Sequence, residues 1–194
     1  MSFKKILLFF FKFLFLSNYK NNYTVISYII QKGIFYMQLV VTFFHRTIGP
    51  LVFLSYPEVE LEEDIIKKLL RFFDLEIGED FIEITIINQH KKVINLYFDL
   101  PSEWARGKKE EVMLSLIMKE EYNSRLIYSF LIDTVHKIRS RENVFKAFYK
   151  DDDNVDNDIE IDISYEAIKR ILFSCLTKLI KRLEANNEIK REVL

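Results

Sequence analysis

The chain has 194 residues, 49% hydrophobic and 15% aromatic, with only four glycines and three prolines. That composition excludes a disordered or fibrous protein and predicts long regular elements around one apolar core. Charge is uneven: residues 1–36 hold five lysines and no acid, while from Met37 onward 23 basic residues face 29 acidic ones, a net charge of −6 that argues against non-specific nucleic-acid binding.

The first 36 residues differ in kind from the rest. Lys4 and Lys5 precede an apolar stretch, Ile6 to Leu16, which Lys12 interrupts. A membrane-spanning helix needs about 20 apolar residues, so no span is expected. Three alternatives stay open for 1–36. It is a conceptual translation upstream of a start at Met37, a segment lying on a membrane with snorkelling lysines, or a processed leader. In each case it stands outside the fold.

From Met37 the chain reads as alternating punctuated segments. MQLVVTFFHRT (37–47) and LVFLSY (51–56) are rich in β-branched and aromatic residues. Gly49-Pro50 lies between them, which predicts an antiparallel hairpin. After Pro57, acidic residues open a helix whose stripe is Leu61, Ile65, Leu69 and Phe72 or Phe73. FIEITIIN (81–88) alternates strictly, with Ile82, Ile84 and Ile86 on one face and Glu83 and Thr85 on the other. Gln89 to Lys92 turn into VINLYFDL, where Ile94, Leu96 and Phe98 oppose Asn95, Tyr97 and Asp99.

Pro101 stops that strand, and the loop SEWARGKKE leads to a fifth, VMLSLIM (112–118). Asn123-Ser124 caps a helix with the stripe Ile127, Phe130 or Leu131, Val135 and Ile138. It ends near Tyr149, with a kink near Arg141 as an open alternative. An acidic run follows, and Ser164 is the expected cap of a last helix. Its stripe is Ile168, Ile171, Leu172, Cys175, Leu176, Leu179, Ile180 and Leu183. Residues 187–194 are polar and are expected to fray.

These elements predict an α+β fold: an α/β/α sandwich with a five-stranded, mostly antiparallel sheet, in the order β-β-α-β-β-β-α-α, over residues 37–186. Strands 1, 2 and 5 are apolar on both faces and need cover on both. The 158 residues from Met37 on should bury about 70% of their unfolded surface, enough for independent stability.

That order resembles the longin domain. The phrase FFHRTIGPLVFLSYPE (43–58) is similar to the first longin hairpin, where a Gly-Pro turn leads to a strand ending in aromatic-Pro-Glu, here Tyr56-Pro57-Glu58. The related roadblock fold begins with a helix and ends with one, so a strand-first order with two terminal helices favours longin. The resemblance implies a non-catalytic interaction module, a subunit or regulator in a small-GTPase or vesicle-trafficking-type complex. It also implies a homo- or heterodimer with another longin or roadblock chain, and strand 81–88 at a sheet edge. No heptad coiled coil follows within the 194 residues, which points away from the SNARE type.

The edge expectation makes Phe81, Glu83 and Thr85 candidate partner contacts. Trp104 and Arg106 are two more. Trp and Arg are the residues most enriched at binding hot spots, and they share a loop here. The structural alternative is that Trp104 caps the sheet and Arg106 pairs with an acid. Gly107-Lys108-Lys109 lacks phosphate-loop spacing.

The acidic run places Asp152, Asn154, Asp156 and Asp158 at EF-hand ligand positions, with Ile159 at the hydrophobic one. Asn157 replaces the required glycine and Ile163 the bidentate glutamate, so a solvated connector is the expected reading. His45, His90 and His136 are isolated in sequence, and Cys175 lies on an apolar helix stripe. No catalytic residue, metal or cofactor is expected from them. A lone cysteine excludes an intrachain disulfide and fits a cytoplasmic setting, peripheral at a membrane if 1–36 lies on one. A small-molecule-sensing α/β module is the alternative function, requiring an apolar pocket between sheet and helices. An enzyme is a third.

Overall fold

Residues 38–45 cannot leave their β-branched and aromatic side chains in water. They form β1 (Gln38–His45), which turns at Gly49 into β2 (Gly49–Tyr56). Gly49 adopts φ +92°, a left-handed backbone that a residue with a Cβ rarely takes. A computed structural model describes residues 37–75, 78, 80–152, 155 and 159–192, which lie within one compact unit. The expectations for residues 1–36 fall outside them.

Beyond the hairpin come α1 (Glu63–Arg71), β3 (Phe81–Ile86), β4 (Lys91–Pro101), β5 (Lys109–Lys119), α2 (Ser124–Arg139) and α3 (Ile159–Glu192). A 3-10 helix, Val144–Tyr149, links α2 to α3. The sheet order is β2-β1-β5-β4-β3, and every neighbouring pair is antiparallel. The architecture is the α+β order that the longin resemblance implied, with β3 at one edge.

One helix covers one face and two cover the other. Ile65 and Leu69 of α1 pack on Val40, Ile86, Val93, Met113 and Ile117. On the opposite face, Phe43 and Phe53 meet Phe148 at 5.0 and 4.7 Å between ring centroids, and Tyr56 meets Phe173 of α3 at 5.4 Å. The register slips between Val41 and Thr42, whose partners are Leu54 and Val52. That bulge makes Phe53 the extra residue and lets it reach Phe148 and Tyr165.

Two expectations need correction. Ser164 does not cap the last helix, because α3 begins at Ile159. Ile161 is buried, and Glu160 and Asp162 occupy the first turn, where the helix dipole favours acids. Ser164 lies inside α3, buried, and its hydroxyl donates to the Asn143 carbonyl at 3.2 Å. The helix runs to Glu192, over a stretch with strong helix formers such as Glu188, Lys190 and Arg191. The expected cap of α2 is in place: Asn123 Oδ1 accepts the Arg125 N–H at 2.9 Å. Arg139 ends that helix, before the expected stop near Tyr149.

The apolar face of β4 lies where its alternation predicts, but Asn95 on its polar face is not in water. Asn95 and Ser115 are register partners and both are fully buried on the α1 side of the sheet. Asn95 Nδ2 donates to the Ile82 carbonyl at 3.0 Å, while Asn95 Oδ1 and Ser115 Oγ have no hydrogen-bond partner. An unpaired buried hydroxyl costs free energy that its removal recovers. Ser115→Ala is therefore expected to leave stability unchanged or raise it by up to about 1 kcal/mol, read from the urea midpoint. A loss above about 1 kcal/mol would show that the hydroxyl is satisfied in solution.

Candidate functional site

Two surfaces carry the sequence-predicted contact residues: the outer edge of β3 and the tip of the β4–β5 hairpin. On β3, backbone direction follows from two bonds. Tyr97 N–H donates to Asp80 O, and Asn95 lies opposite Ile82, whose carbonyl accepts from the Asn95 side-chain Nδ2. In an antiparallel ladder, residues alternate between bonding inward and pointing outward. Asp80, Ile82, Ile84 and Ile86 then bond toward β4. Phe81, Glu83 and Thr85 point their backbone groups away from the sheet. The Phe81 N–H is already taken by Asp80 Oδ1 at 2.7 Å. The outward ladder consists of the Phe81 carbonyl and both groups of Glu83 and Thr85.

Side chains of the same three residues turn toward the α2 face. The Phe81 ring lies 4.6 Å from that of Tyr128, and Tyr128 Oη donates to Glu83 Oε2 at 2.9 Å. Lys92 pairs with Glu83 at 3.2 Å and donates to Ser124 Oγ and the Tyr122 carbonyl. Desolvation raises the Glu83 carboxyl's pKa, but hydrogen bonds from Ser124, Tyr128 and Lys92 outweigh it and hold the group below its ordinary value. The opposite edge differs: β2 carries Pro50 and a bulge, two devices that blunt an edge against pairing.

At the hairpin tip, Ser102 N–H donates to Lys108 O and Lys108 N–H to Ala105 O, both at 3.0 Å, and Lys108 sits at φ +59°. Glu110, buried, accepts on one oxygen from Ser102 Oγ at 2.6 Å and from Tyr149 Oη at 2.8 Å. Burial and the Glu110 carboxylate push the Tyr149 phenol well above its ordinary pKa. Trp104 stands edge-on to Phe145 and Tyr149, at 5.6 and 5.1 Å between centroids, with Lys146 Nζ 5.1 Å from its ring. Trp104 is thus half-buried against the 3-10 helix, as a cap would be, while Arg106 is exposed.

Beside the tip opens a cleft of about 360 Å³ between the end of β4, the tip loop, the end of α2 and the start of the 3-10 helix. Lys108, Arg139 and Arg141 line it, and among the described residues Glu103 is its acid. No local motif marks this grouping, because Arg139 and Arg141 lie 31 and 33 residues after Lys108.

The remaining candidates are engaged locally. His45 Nδ1 accepts the N–H groups of Thr47 and Ile48, both at 3.2 Å, and His90 pairs with Glu120 at 2.9 Å. His136 is exposed on α2, and Cys175 is buried with Lys137 Nζ 3.4 Å from its sulfur. Asp152 pairs with Arg46 at 2.8 Å. Asn154 and residues 156–158 of the acidic run lie outside the described residues. Among the described residues no three metal-ligating side chains converge, and no helix is long and apolar enough to cross a membrane.

No protein-family model and no curated protein matches the chain. Among solved structures it is similar to the K. lactis Lst4 longin domain, at 12% identity over 75% of this chain and 97% of that one, with a TM-score of 0.45. A likeness at that score carries no argument about function.

Two predictions follow from the geometry of these surfaces. The Glu83 carboxyl is lowered in the folded state, so its contribution to stability is complete above the unfolded carboxylate value and vanishes as pH falls through the folded one. Glu83→Gln should lower the Tm at pH 7, and the difference from wild type should shrink toward zero on acidification. A gap constant down to strongly acidic pH would contradict the assignment. Trp104→Ala should cost about 2 kcal/mol in urea unfolding through its two edge-to-face contacts, while exposed Arg106→Ala should stay within about 0.5 kcal/mol.

Proposed function

We propose that this chain is a non-catalytic interaction module that accepts a strand of a partner on the outer edge of β3. The observation that supports it is the outward ladder of Phe81, Glu83 and Thr85. An unpaired edge is a template for another chain: backbone hydrogen bonds give affinity and flanking side chains give selectivity. Phe81 and Glu83 would flank the added strand, already oriented by Tyr128 and Lys92. Trp104 and Arg106 form a second contact region, with Trp104 half-exposed above the 3-10 helix.

The longin resemblance of the element order and of residues 43–58 supports the class of partner. This is a small GTPase, or another longin or roadblock chain, in a vesicle-trafficking-type assembly where this chain is a subunit or regulator. The pair would be homo- or heterodimeric and cytoplasmic, with residues 1–36 as its membrane contact if they lie on a bilayer.

The test exploits a position whose N–H points away from β4. Thr85→Pro removes that donor without breaking the native ladder. Full-length protein is run through light-scattering chromatography across a wide concentration range and used as bait in a native lysate. Wild type should dimerise or retain a small GTPase, longin or roadblock chain. Thr85→Pro should weaken that association at least tenfold, about 1.4 kcal/mol, while remaining folded by circular dichroism. A monomer with no such partner would overturn the proposal, as would a Thr85→Pro variant that associates like wild type.

A further inference from the structure

We propose that the outward face of α3 lies against an anionic lipid bilayer, through Arg170, Lys178, Lys181, Arg182 and two exposed isoleucines. This goes beyond the strand-pairing reading and does not depend on it. It gives the folded body a membrane contact of its own, separate from residues 1–36.

One face of α3 packs into the core: Ile161, Ile168, Leu172, Cys175, Leu179 and Leu183 are all buried. On the opposite face Ile159 and Ile163, then Arg170, Ser174, Lys178 and Lys181, follow one line at spacings of three, four and seven residues. That line runs about 33 Å along the helix axis. Arg182 stands beside it, one turn beyond Lys178. All these residues are exposed.

The charge of this face is unlike that of the body. From Met37 onward the net charge is −6, and Lys91, Lys92, Lys109 and Lys150 each pair with a carboxylate. By contrast, Arg170, Lys178, Lys181 and Arg182 make no ion pair with a described residue. Of the acids in the first two turns of α3, Glu160 and Asp162 pair with Lys146 and Lys150. Glu166 and Glu184 lie on one flank of the line. An acidic protein thus presents a positive strip on one helix.

Charge and the isoleucines together select the partner. Lys and Arg are drawn to an anionic leaflet within about a Debye length of its surface. Ile159 and Ile163 are 75% and 61% exposed at one end of the same line. A nucleic-acid backbone offers them no apolar phase. A bilayer does: apolar side chains enter the boundary between headgroups and acyl chains while cations stay at the headgroups. The contact is peripheral, since among the described residues no helix is long and apolar enough to cross a membrane.

The test co-sediments full-length protein with phosphatidylcholine vesicles, with and without phosphatidylserine. Binding should require phosphatidylserine and weaken as salt rises. Lys178→Gln with Lys181→Gln should weaken it about tenfold, and Ile163→Gln about threefold. These positions are exposed, so Tm values without vesicles should match wild type. Lys67→Gln with Lys68→Gln makes the same charge change on exposed positions of α1 and should bind like wild type. Equal weakening by the α1 and α3 variants would reduce the effect to net charge and overturn the proposal. Binding lost in Lys4→Gln with Lys5→Gln, but kept in the α3 variants, would assign the contact to residues 1–36 and also overturn it. Absence of vesicle binding, or binding indifferent to phosphatidylserine, would do the same, as would single-stranded RNA captured by α3 in place of vesicles.

Discussion

The register of β4 against β5 is the constraint on which the remaining structure depends. Eleven residues of each strand pair without a slip, from Lys91 opposite Lys119 to Pro101 opposite Lys109. Side chains alternate across a sheet, so this register decides which residues meet α1 and which meet α2 and α3. It sends Val93, Met113 and Ile117 to the α1 core. It sends the alternate set, Ile94, Leu96, Phe98, Leu114 and Leu116, to the other face, where all are buried. A slip of one residue would exchange those sets and place Asn95 and Ser115 in the opposite core.

The same register carries consequences to both ends of the hairpin. At one end β4 bonds β3 and sets the parity of its outward groups, so that Phe81, Glu83 and Thr85 share an edge with no strand beyond it among the described residues. At the other it delivers Glu110 beneath Ser102 and within reach of Tyr149. That buried carboxylate is satisfied by two hydroxyl donors, the condition under which burying a polar group is tolerable. The tip is thereby tied to the 3-10 helix, and the 3-10 helix to α3 through Asn143 and Ser164.

Electrostatics divides the surface. The body is acidic, yet the tip cleft gathers Lys108, Arg139 and Arg141, and the β3 edge holds one carboxylate kept ionised by three hydrogen-bonding neighbours. At the β3 edge a backbone ladder would supply affinity for an added strand, and the flanking Phe81 and Glu83 side chains its selectivity.

Periodicity by itself determined the type and order of the elements from Met37 on. Strict alternation in FIEITI, a helical stripe from Ile168 to Leu183 and the Asn123 cap are local signals, each readable within a few residues because burial and backbone bonding impose a fixed period. The edge position of β3 came from resemblance, and the sheet order bears it out. Tertiary structure alone decided the burial of Asn95, which periodicity assigns only to the face opposite Ile94. It also placed Ser164 inside α3 rather than at its cap, since contacts with Asn143 override a local capping preference. Trp104 stood between cap and contact in the sequence, and its meeting with Phe145 and Tyr149 is a long-range event. The cleft was invisible for the same reason: Arg139 and Arg141 join Lys108 only because the chain returns to the hairpin tip after a full helix, and no local spacing encodes that return.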